Sequence, residues 1–337
     1  MGDPGAIALV AGEASGDLLG AALIEALNEA RPGLRFFGVA GPRMRAAGCE
    51  AVASAEELSV MGLAEVLRHL PRLLKLRSRL RREIVARRPL AFVGIDSPEF
   101  NLGLAAWLHA RGLPTVQYVS PQVWAWRQGR VKHIHAAVDR VLCLLPFEVD
   151  FYARHAVRAS FVGHPLADQI PLEIDRAAAR RTLGLDEEAL VVALLPGSRM
   201  GEVERLGSDF ALAAVELERS FGRGIVFVAP MANAAVREVF DRQVTAAGAR
   251  VRLVDGQSRT VLAAANVVLV ASGTATLETM LSKRPMVVAY RVAPFTAFLL
   301  RDLKLVKVPH FAQPNLLTRE PLVPELFQEA ATPSALA

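Results

Sequence analysis

The chain has 337 residues, of which 52% are hydrophobic and 22% are charged. This length exceeds that of one typical domain, and the apolar content is enough for two hydrophobic cores. No apolar run approaches the roughly 18 residues of a membrane-spanning helix, which excludes an integral membrane protein. The N-terminus lacks the basic and apolar segments of a secretory signal, so we expect the chain to stay in the cytoplasm. The two cysteines, Cys49 and Cys143, have no metal-like partner nearby in the sequence, so neither a disulfide framework nor a zinc site is indicated.

Short apolar runs alternate with helix-length segments in both halves of the chain. We predict strands at residues 7–10, 36–39, 91–95, 115–119 and 141–144, and again at 191–195, 225–229, 251–254, 267–270 and 286–289. This alternation is typical of parallel sheets covered by helices. The predicted fold class is therefore α/β, with two doubly wound Rossmann-like domains at residues 1–168 and 169–337. Ligands of such sheets bind outside the carboxyl ends of the strands, so we expect loops from both domains to face a central cleft.

The first predicted strand runs into the polar loop 12–17, before a helix that we expect to begin near Leu18. Glycines in this loop allow close backbone approach, and Glu13, Ser15 and Asp17 bring polar groups to the carboxyl end of the strand. The glycine spacing differs from G-x-G-x-x-G, so a dinucleotide site is only weakly supported. A simple helix N-cap at Asp17 explains the same residues equally well.

The positive charge of the chain is concentrated in one segment. Residues 68–88 hold eight Arg and one Lys against a single acid, Glu83, so this segment carries +8 while the whole chain carries +5. An amphipathic basic helix preceded by apolar residues can bind an anionic bilayer. From the pattern alone, however, a solvated outer helix of the sheet is the favoured interpretation. The membrane interpretation uses Val60, Met61, Leu63, Val66, Leu67, Arg68, Arg72 and Lys75.

The strand predicted at 91–95 delivers Asp96 to its carboxyl end. Partial burial at a strand end disfavours a charged carboxylate, which would raise the pKa of Asp96 toward that of a useful general base. Asp96 is therefore the first candidate for a general base. The competing interpretation, in which Asp96 or Ser97 only caps the next helix, is the more common one for this pattern.

Two of the three tryptophans, Trp124 and Trp126, lie in the loop 120–127 together with Arg127. Aromatic faces and a cation suit a sugar phosphate or an amphipathic ligand. Packing of the indoles beneath the loop is the alternative. The following histidines, His133 and His135, would diverge on a helix, so no metal pair is predicted.

In the second half, the strand at 191–195 ends in a loop with the features of a phosphate site. Gly197 and Ser198 permit a turn there, and Arg199 offers a guanidinium to phosphate oxygens. The loop lacks the Walker A pattern G-x-x-x-x-G-K-[ST], so a kinase-like P-loop is not predicted.

A second loop of this kind follows the strand at 267–270, where Ser272, Gly273 and Thr274 precede a helix. The first N–H groups of a helix lack internal partners and carry the positive end of its dipole, so they can bind a phosphate. Glu278, about one turn further, would repel a phosphate but can accept hydrogen bonds from vicinal ribose hydroxyls. The two features together predict a nucleotide, with an ordinary N-cap as the equally common alternative.

Eight short motifs succeed one another between about residues 12 and 328. They are G-E-A-S-G-D at 12–17, D-S-P-E-F-N at 96–101, S-P-Q-V-W-A-W-R at 120–127, L-P-F-E at 145–148, F-V-G-H-P-L-A-D at 161–168, L-P-G-S-R at 195–199, S-G-T-A-T-L-E at 272–278 and P-N-L-L at 314–317. As an ordered set they resemble the motifs of bacterial lipid-A-disaccharide synthase.

That resemblance implies a GT-B glycosyltransferase with an acceptor domain first and a nucleotide-sugar domain second. The implied reaction transfers 2,3-diacylglucosamine from its UDP derivative to 2,3-diacylglucosamine 1-phosphate, with inversion, and needs no metal or cofactor. It implies Asp96 as the base, with Glu13 and Asp17 orienting the acceptor or the base, although the choice among the three carboxylates stays open. The implied acceptor contacts are Ser15, Gly16, Asn101, Trp124 and Arg127. The implied UDP contacts are Gly197, Ser198, Arg199, Glu202, Ser272, Gly273, Thr274, Glu278 and Asn315.

The resemblance also reverses the interpretation of the basic segment, because both implied substrates carry acyl chains. We therefore expect peripheral contact with the anionic cytoplasmic face of the inner membrane. No nucleic-acid partner is predicted, and a homodimer is one open option for the oligomeric state. Relatives generally continue beyond Ala337 into further helices, so we expect terminal helices to be missing, which puts domain closure, dimerisation and activity in doubt.

Two other functions stay open at this point. A UDP-N-acetylglucosamine 2-epimerase shares the two-domain plan and a UDP site, but its substrate has no acyl chains. A non-catalytic peripheral protein that binds nucleotide sugars or anionic lipid would be unaffected by replacement of Asp96. An NAD-dependent oxidoreductase is least favoured, because the glycine spacing gives it little support.

Overall fold

The computed structural model describes residues 5–58, 63–125, 128–293 and 310–337, without the side chains of residues 63–69 and 223. The chain divides into two compact units, Met1–Pro165 and Leu166–Ala337. The predicted boundary between residues 168 and 169 lies slightly further along the chain.

The first unit is built on a seven-stranded parallel sheet in the order β3-β2-β1-β4-β5-β6-β7. Its strands are β1 (Ala6–Ala11), β2 (Arg35–Ala40), β3 (Cys49–Ser54), β4 (Ala91–Ile95), β5 (Thr115–Tyr118), β6 (Arg140–Cys143) and β7 (Ala159–Phe161). Its helices are α1 (Ala14–Ala30), α2 (Pro42–Ala46), α3 (Leu63–Arg87), α4 (Pro98–His109), α5 (Val131–Ala137) and α6 (Phe147–Ala153). The strand order reverses between β1 and β4, so the loops after these two strands lie side by side at the carboxyl edge.

The second unit repeats this plan on a six-stranded parallel sheet in the order β10-β9-β8-β11-β12-β13. Its strands are β8 (Leu190–Leu195), β9 (Ile225–Met231), β10 (Val251–Asp255), β11 (Val267–Ala271), β12 (Met286–Tyr290) and β13 (Glu325–Phe327). Its helices are α7 (Leu166–Gln169), α8 (Arg176–Leu183), α9 (Met200–Phe221), α10 (Ala234–Ala247), α11 (Ser258–Ala264), α12 (Thr274–Leu281), α13 (Gln313–Leu316) and α14 (Pro333–Leu336). Here the order reverses between β8 and β11, so the loops after β8 and β11 are neighbours.

Local sequence signals set several helix boundaries. Asp175 caps α8 by accepting the N–H of Ala178 at 2.8 Å, and Gly184 ends that helix in the left-handed conformation with φ 60°. Asn233 caps α10 in the same way. Such caps satisfy N–H groups that the first turn of a helix cannot pair internally.

Apolar side chains from the strands and covering helices form the cores. In the first unit Leu9, Ile24 and Phe36 belong to one cluster. In the second unit separate clusters lie on the two faces of the sheet, one around Phe210 and one around Val268. The two parallel sheets with their alternating helices confirm the predicted α/β class.

Both cysteines are buried free thiols, and burial raises the pKa of each to about 12. Both therefore stay protonated at neutral pH. In the described ranges, every helix is too short or too polar to span a lipid bilayer.

Candidate functional site

Asp96 and Ser97 form a strained turn between β4 and α4. Their φ angles are 52° and 40°, in the left-handed region that residues other than glycine rarely adopt. Ser97 is the N-cap of α4, but its hydroxyl makes no capping hydrogen bond. Such backbone strain persists only where the surrounding structure imposes it, and it is concentrated at functional sites.

The loop after β1 lies directly against this turn. A Cβ atom added to Gly12 would lie 2.1 Å from Ser97 Oγ and 2.9 Å from Ser97 Cβ, so a larger residue would displace the Ser97 side chain. Glu13 is the N-cap of α1 and is half-buried, as is Ser15. The structure thus brings the loops that carry Glu13, Ser15 and Asp96 to one place on the sheet edge.

In the second unit, backbone N–H groups of the loop after β8 donate hydrogen bonds to a carboxylate. The Glu202 carboxylate accepts the N–H groups of Ser198 at 3.0 Å and Arg199 at 3.3 Å, and it also accepts a hydrogen bond from Arg199 Nη1 at 3.3 Å. Gly197, with φ 138°, makes the turn. The backbone N–H groups and the Arg199 guanidinium, which the sequence analysis predicted to bind a phosphate, therefore bind the Glu202 carboxylate in this structure. Glu202 itself accepts the hydrogen bonds of these donors, and its contact with UDP stays a prediction.

The loop after β11 presents the other predicted anion site. Gly273 is the N-cap of α12 and has no side chain to cap the helix, and Thr274 at the helix start is exposed. Glu278 is half-buried one turn into α12, where Ser258 Oγ donates to its Oε2 at 3.4 Å. Residue Val270 of β11 pairs with Leu195 of β8, so both anion-compatible loops share one edge of the sheet.

Comparison with known proteins decides between the families that this geometry allows. The profile of the lipid-A-disaccharide synthetase family matches residues 7–337. The chain belongs to this family. Lipid-A-disaccharide synthase of Xanthomonas campestris pv. campestris is 52% identical over 333 residues, which cover 98% of this chain and 76% of that protein. The synthase of Alkalilimnicola ehrlichii is 54% identical over 339 residues, covering 98% of this chain and 87% of that protein. The resemblance drawn from the motifs is confirmed, and the chain is a glycosyltransferase of lipid A biosynthesis.

The chain resembles solved structures of GT-B proteins, which shows that its fold is GT-B. UDP-GlcNAc 2-epimerase from Neisseria meningitidis, bound to UDP-GlcNAc, superimposes with a TM-score of 0.62 at 12% identity, over 84% of this chain and 82% of that chain. The glycotransferase of kitacinnamycin gives a TM-score of 0.54 at 18% identity, over 90% of this chain and 85% of that chain. The predicted fold is thereby confirmed.

Asp17 has a structural partner that the sequence did not reveal. Helix α1 begins at Ala14, four residues before the predicted start near Leu18, so Asp17 lies inside the first turn and is not its N-cap. Its buried carboxylate accepts the N–H groups of Arg43 at 2.9 Å and Met44 at 3.0 Å. Asp17 therefore caps the start of α2 and holds it against α1, while its part in orienting the acceptor or the base stays a prediction.

Asn101, predicted to contact the acceptor, lies beneath the loop. It is fully buried, and its Nδ2 donates to the carbonyl oxygens of Asp96 at 2.8 Å, Val10 at 3.2 Å and Ile95 at 3.3 Å. A group with this burial supports the loop and does not reach a substrate. Gln117 supports the same turn, because its Nε2 donates to the Asp96 carbonyl at 3.0 Å, and the sequence analysis missed it. Its only signal in the sequence is an amide side chain inside the strand predicted at 115–119.

The Trp124 indole packs beneath the loop, as in the second interpretation of this motif. Its indole is buried, donates from Nε1 to Glu148 at 3.0 Å and meets the Phe147 ring edge-on at 4.9 Å between centroids. Burial raises the pKa of Glu148. Direct contact between Trp124 and an acceptor is therefore not supported, while Trp126 and Arg127 lie outside the described residues.

Asn315, predicted to contact UDP, is fully engaged within the second unit. Its Nδ2 donates to Val323 at 2.9 Å and Glu325 at 2.6 Å, and its Oδ1 accepts the N–H groups of Leu322 at 2.7 Å and Val323 at 3.0 Å. It is also buried, so it anchors the segment before β13 and leaves no polar atom for a ligand.

Two sets of cations on the described part of α3 have different surroundings. Arg77 and Arg81 lie over the rings of Phe100 and Trp107 at 5.0 Å and 4.8 Å, and so fasten α3 to α4. A second group lines a groove of about 720 Å³ beside Glu57; it comprises Arg72, Lys75, Arg79 and Arg82.

Only part of the predicted membrane segment is described. Val60 and Met61 lie outside the described residues, and so do the side chains of Leu63, Val66, Leu67 and Arg68. On the described part of α3, Leu70 and Leu74 are 43% and 53% exposed beside Arg72 and Lys75. Within the described ranges, no cluster of three His, Cys, Asp or Glu side chains is arranged to hold a metal ion. A metal-free reaction stays a prediction.

Proposed function

We propose that the chain transfers 2,3-diacylglucosamine from UDP-2,3-diacylglucosamine to 2,3-diacylglucosamine 1-phosphate, forming the β-1,6 disaccharide 1-phosphate and UDP. The observation that carries this proposal is that each sheet has a different set of functional groups beside the point where its strand order reverses. A strained turn bearing a carboxylate lies at the reversal in the first unit. Two anion-compatible loops and a carboxylate one helical turn away lie at the reversal in the second unit.

In the proposed reaction, Asp96 accepts the proton of the acceptor 6-hydroxyl as the oxygen attacks the anomeric carbon. The new bond between that oxygen and the anomeric carbon forms on the face opposite UDP. The bond from the anomeric carbon to the β-phosphate oxygen breaks, and its electron pair leaves with UDP. One displacement of this kind inverts the configuration from α to β.

The second unit binds and stabilises the leaving group. The diphosphate displaces the Glu202 carboxylate from the amides of Ser198 and Arg199 and takes their hydrogen bonds, together with the Arg199 guanidinium. The start of α12 supplies further N–H donors. These fixed donors stabilise the charge that develops on UDP without a metal ion. Glu278 accepts hydrogen bonds from the ribose hydroxyls.

The test is a UDP-release assay in detergent with both glycolipids, followed by NMR of the product. We expect UDP release only when donor and acceptor are both present, and a product with a β anomeric proton. Conversion of the UDP-sugar without acceptor would instead support an epimerase. Tight UDP binding with no turnover of any UDP-sugar would support a non-catalytic binding protein.

The exposed leucines and cations of α3 support a peripheral membrane contact for these acylated substrates, on the cytoplasmic face of the inner membrane. At 1.5 Å per residue a 25-residue helix is about 37 Å long, roughly twice the length of a five- or six-residue strand. One end of α3, Arg87, is tied to Glu50 at the start of β3. The opposite half of α3, with Leu70, Leu74 and Arg72, therefore lies at the carboxyl edge of the sheet, where Arg72 Nη2 is 4.0 Å from Glu57 Oε2 just after β3.

We expect Arg72→Gln with Lys75→Gln to weaken binding to phosphatidylglycerol-containing vesicles by roughly tenfold or more, since each cation contributes about 1 kcal/mol near an anionic surface. Leu70→Ser with Leu74→Ser should weaken binding to both anionic and neutral vesicles. Sedimentation with vesicles of each composition measures both effects. Val85→Ser is the matched control, because Val85 is 55% exposed on the other half of α3. Equal loss in the control, or no loss in either double variant, would contradict the contact.

A further inference from the structure

We propose that Gln117 is a positioning residue for the transfer reaction, and that with Asn101 it fixes the backbone turn from which the Asp96 carboxylate projects. This inference rests on the proposed role of Asp96 as the base. Gln117 itself touches no reacting atom; it acts through the backbone of Asp96.

Gln117 bridges the strained ends of two neighbouring strands. Its Nε2 donates to the carbonyl oxygen of Asp96 at 3.0 Å, after β4, and to that of Val119 at 3.3 Å, after β5. Val119 has a φ of 76°, which is an outlier for a β-branched residue. Asp96 and Val119 are thus two left-handed residues held by one side chain.

The Asp96 carbonyl receives a second side-chain amide from a different element. Asn101, on α4, donates to the same oxygen at 2.8 Å. The Asp96 N–H also donates to the carbonyl of Tyr118 at 2.9 Å. The peptide groups on both sides of the Asp96 Cα atom are therefore fixed, one by the ladder to β5 and the other by two buried amides.

A glycine makes room for this arrangement. Gly94 of β4 is the register partner of Gln117, and a Cβ atom added there would lie 2.7 Å from Asn101 Cβ and 3.1 Å from Gln117 Oε1. The side chains of Asn101 and Gln117 are 0% and 1% exposed. Such burial excludes direct contact with a substrate, so their effect must be transmitted through the turn.

The amides are also incompletely satisfied. Asn101 Oδ1 and Gln117 Oε1 accept no hydrogen bond from the part of the chain that the structure describes. Burial of an unpaired amide oxygen is unfavourable, and an apolar residue in the middle of β5 would avoid it. The two unpaired amide oxygens lower the stability of the fold. The bonds that the same two amides donate to the Asp96 carbonyl fix the position of Asp96, which compensates for this loss.

The experiment compares Gln117→Met, which keeps the volume and removes the donor, with the unmodified chain in the UDP-release assay. We expect kcat to fall by roughly tenfold to hundredfold, because a misplaced catalytic group costs rate on this scale. The KM for the UDP-sugar should stay unchanged, and the acidic limb of the pH–kcat profile should shift. The double variant Asp96→Asn with Gln117→Met should be no slower than Asp96→Asn alone, because a residue that acts only through Asp96 has nothing left to position.

Gln243→Met is the matched control. Gln243 is a half-buried amide of the second unit whose Nε2 donates to the Val203 carbonyl at 3.0 Å, and within the described residues its Oε1 is also unpaired. It should lose stability without any change in the pH profile. If Gln117→Met fails to fold, Asn101→Ser removes the other bond to the same carbonyl and is assessed in the same way.

The outcomes separate this inference from the proposed function. An unchanged kcat and pH profile in a folded Gln117 or Asn101 variant would overturn the positioning role if Asp96→Asn is inactive. A further loss in the double variant would overturn it as well. An Asp96→Asn variant with full activity would refute the proposed base itself, and the inference would fail with it.

Discussion

Asp96→Asn will lower acceptor-dependent UDP release by about 10²- to 10⁴-fold, because a positioned general base contributes a factor of this size. The asparagine amide has the same shape as the carboxylate but cannot accept the proton. The fold should survive, since asparagine tolerates the left-handed conformation that Asp96 adopts at φ 52° better than most residues do. UDP affinity, measured by titration calorimetry, should be unchanged because the proposed UDP site lies in the second unit.

Two further carboxylates serve as controls for this result. Glu13→Gln keeps the loop after β1 and should reduce the rate less than Asp96→Asn does. Asp17→Asn should mainly lower the melting temperature, because the Asp17 carboxylate holds two N–H groups at the start of α2. Retention of most activity by Asp96→Asn together with inactivity of a stably folded Glu13→Gln would transfer the role of base to Glu13.

The sequence predicted the central strands of both sheets because their positions are buried on both faces and produce continuous apolar runs. Three strands were missed, and all three lie at the edges of the sheets: β3, β7 and β13. Strands β7 and β13 have only three residues each and are largely half-buried. Edge strands contact the core on one side only, so the apolar pattern that identifies a strand is weak there.

The locations of the site loops were also predictable, since acids and glycines at the ends of apolar runs mark the carboxyl edge of a parallel sheet. The partners of individual side chains were not. Asp17 binds N–H groups 26 and 27 residues away, a contact that depends on tertiary packing. Asn315 binds the N–H groups of Leu322 and Val323, and these bonds depend on a turn that the sequence did not reveal. The UDP contact of Glu202 was implied by the family resemblance, and its local bonds to the N–H groups of Ser198 and Arg199 were not predicted.

Glu278→Ala should weaken UDP binding by roughly tenfold to hundredfold, because hydrogen bonds to a charged group contribute about 1.5–3 kcal/mol. The carboxylate lies one turn inside α12, beyond the N–H groups at Gly273 and Thr274 that suit a phosphate. If UDP binds as proposed, we expect the Glu278 carboxylate to repel the diphosphate, with hydrogen bonds to the ribose hydroxyls compensating for this repulsion. Removal of Glu278 should therefore weaken UDP and leave pyrophosphate binding equal or tighter.

A comparison with 2′-deoxy-UDP isolates the ribose contact. The unmodified chain should bind UDP more tightly than 2′-deoxy-UDP, whereas Glu278→Ala should bind the two with similar affinity, since the partner of the missing hydroxyl is gone. Glu238→Ala is the matched control, because Glu238 is an exposed carboxylate on α10 of the same unit and should leave every affinity unchanged. If Glu278→Ala still binds UDP more tightly than 2′-deoxy-UDP, another residue makes the contact with the ribose 2′-hydroxyl. If pyrophosphate binding falls together with UDP binding, the loss comes from disruption of the α12 N-terminus and Glu278 has no direct contact with the sugar.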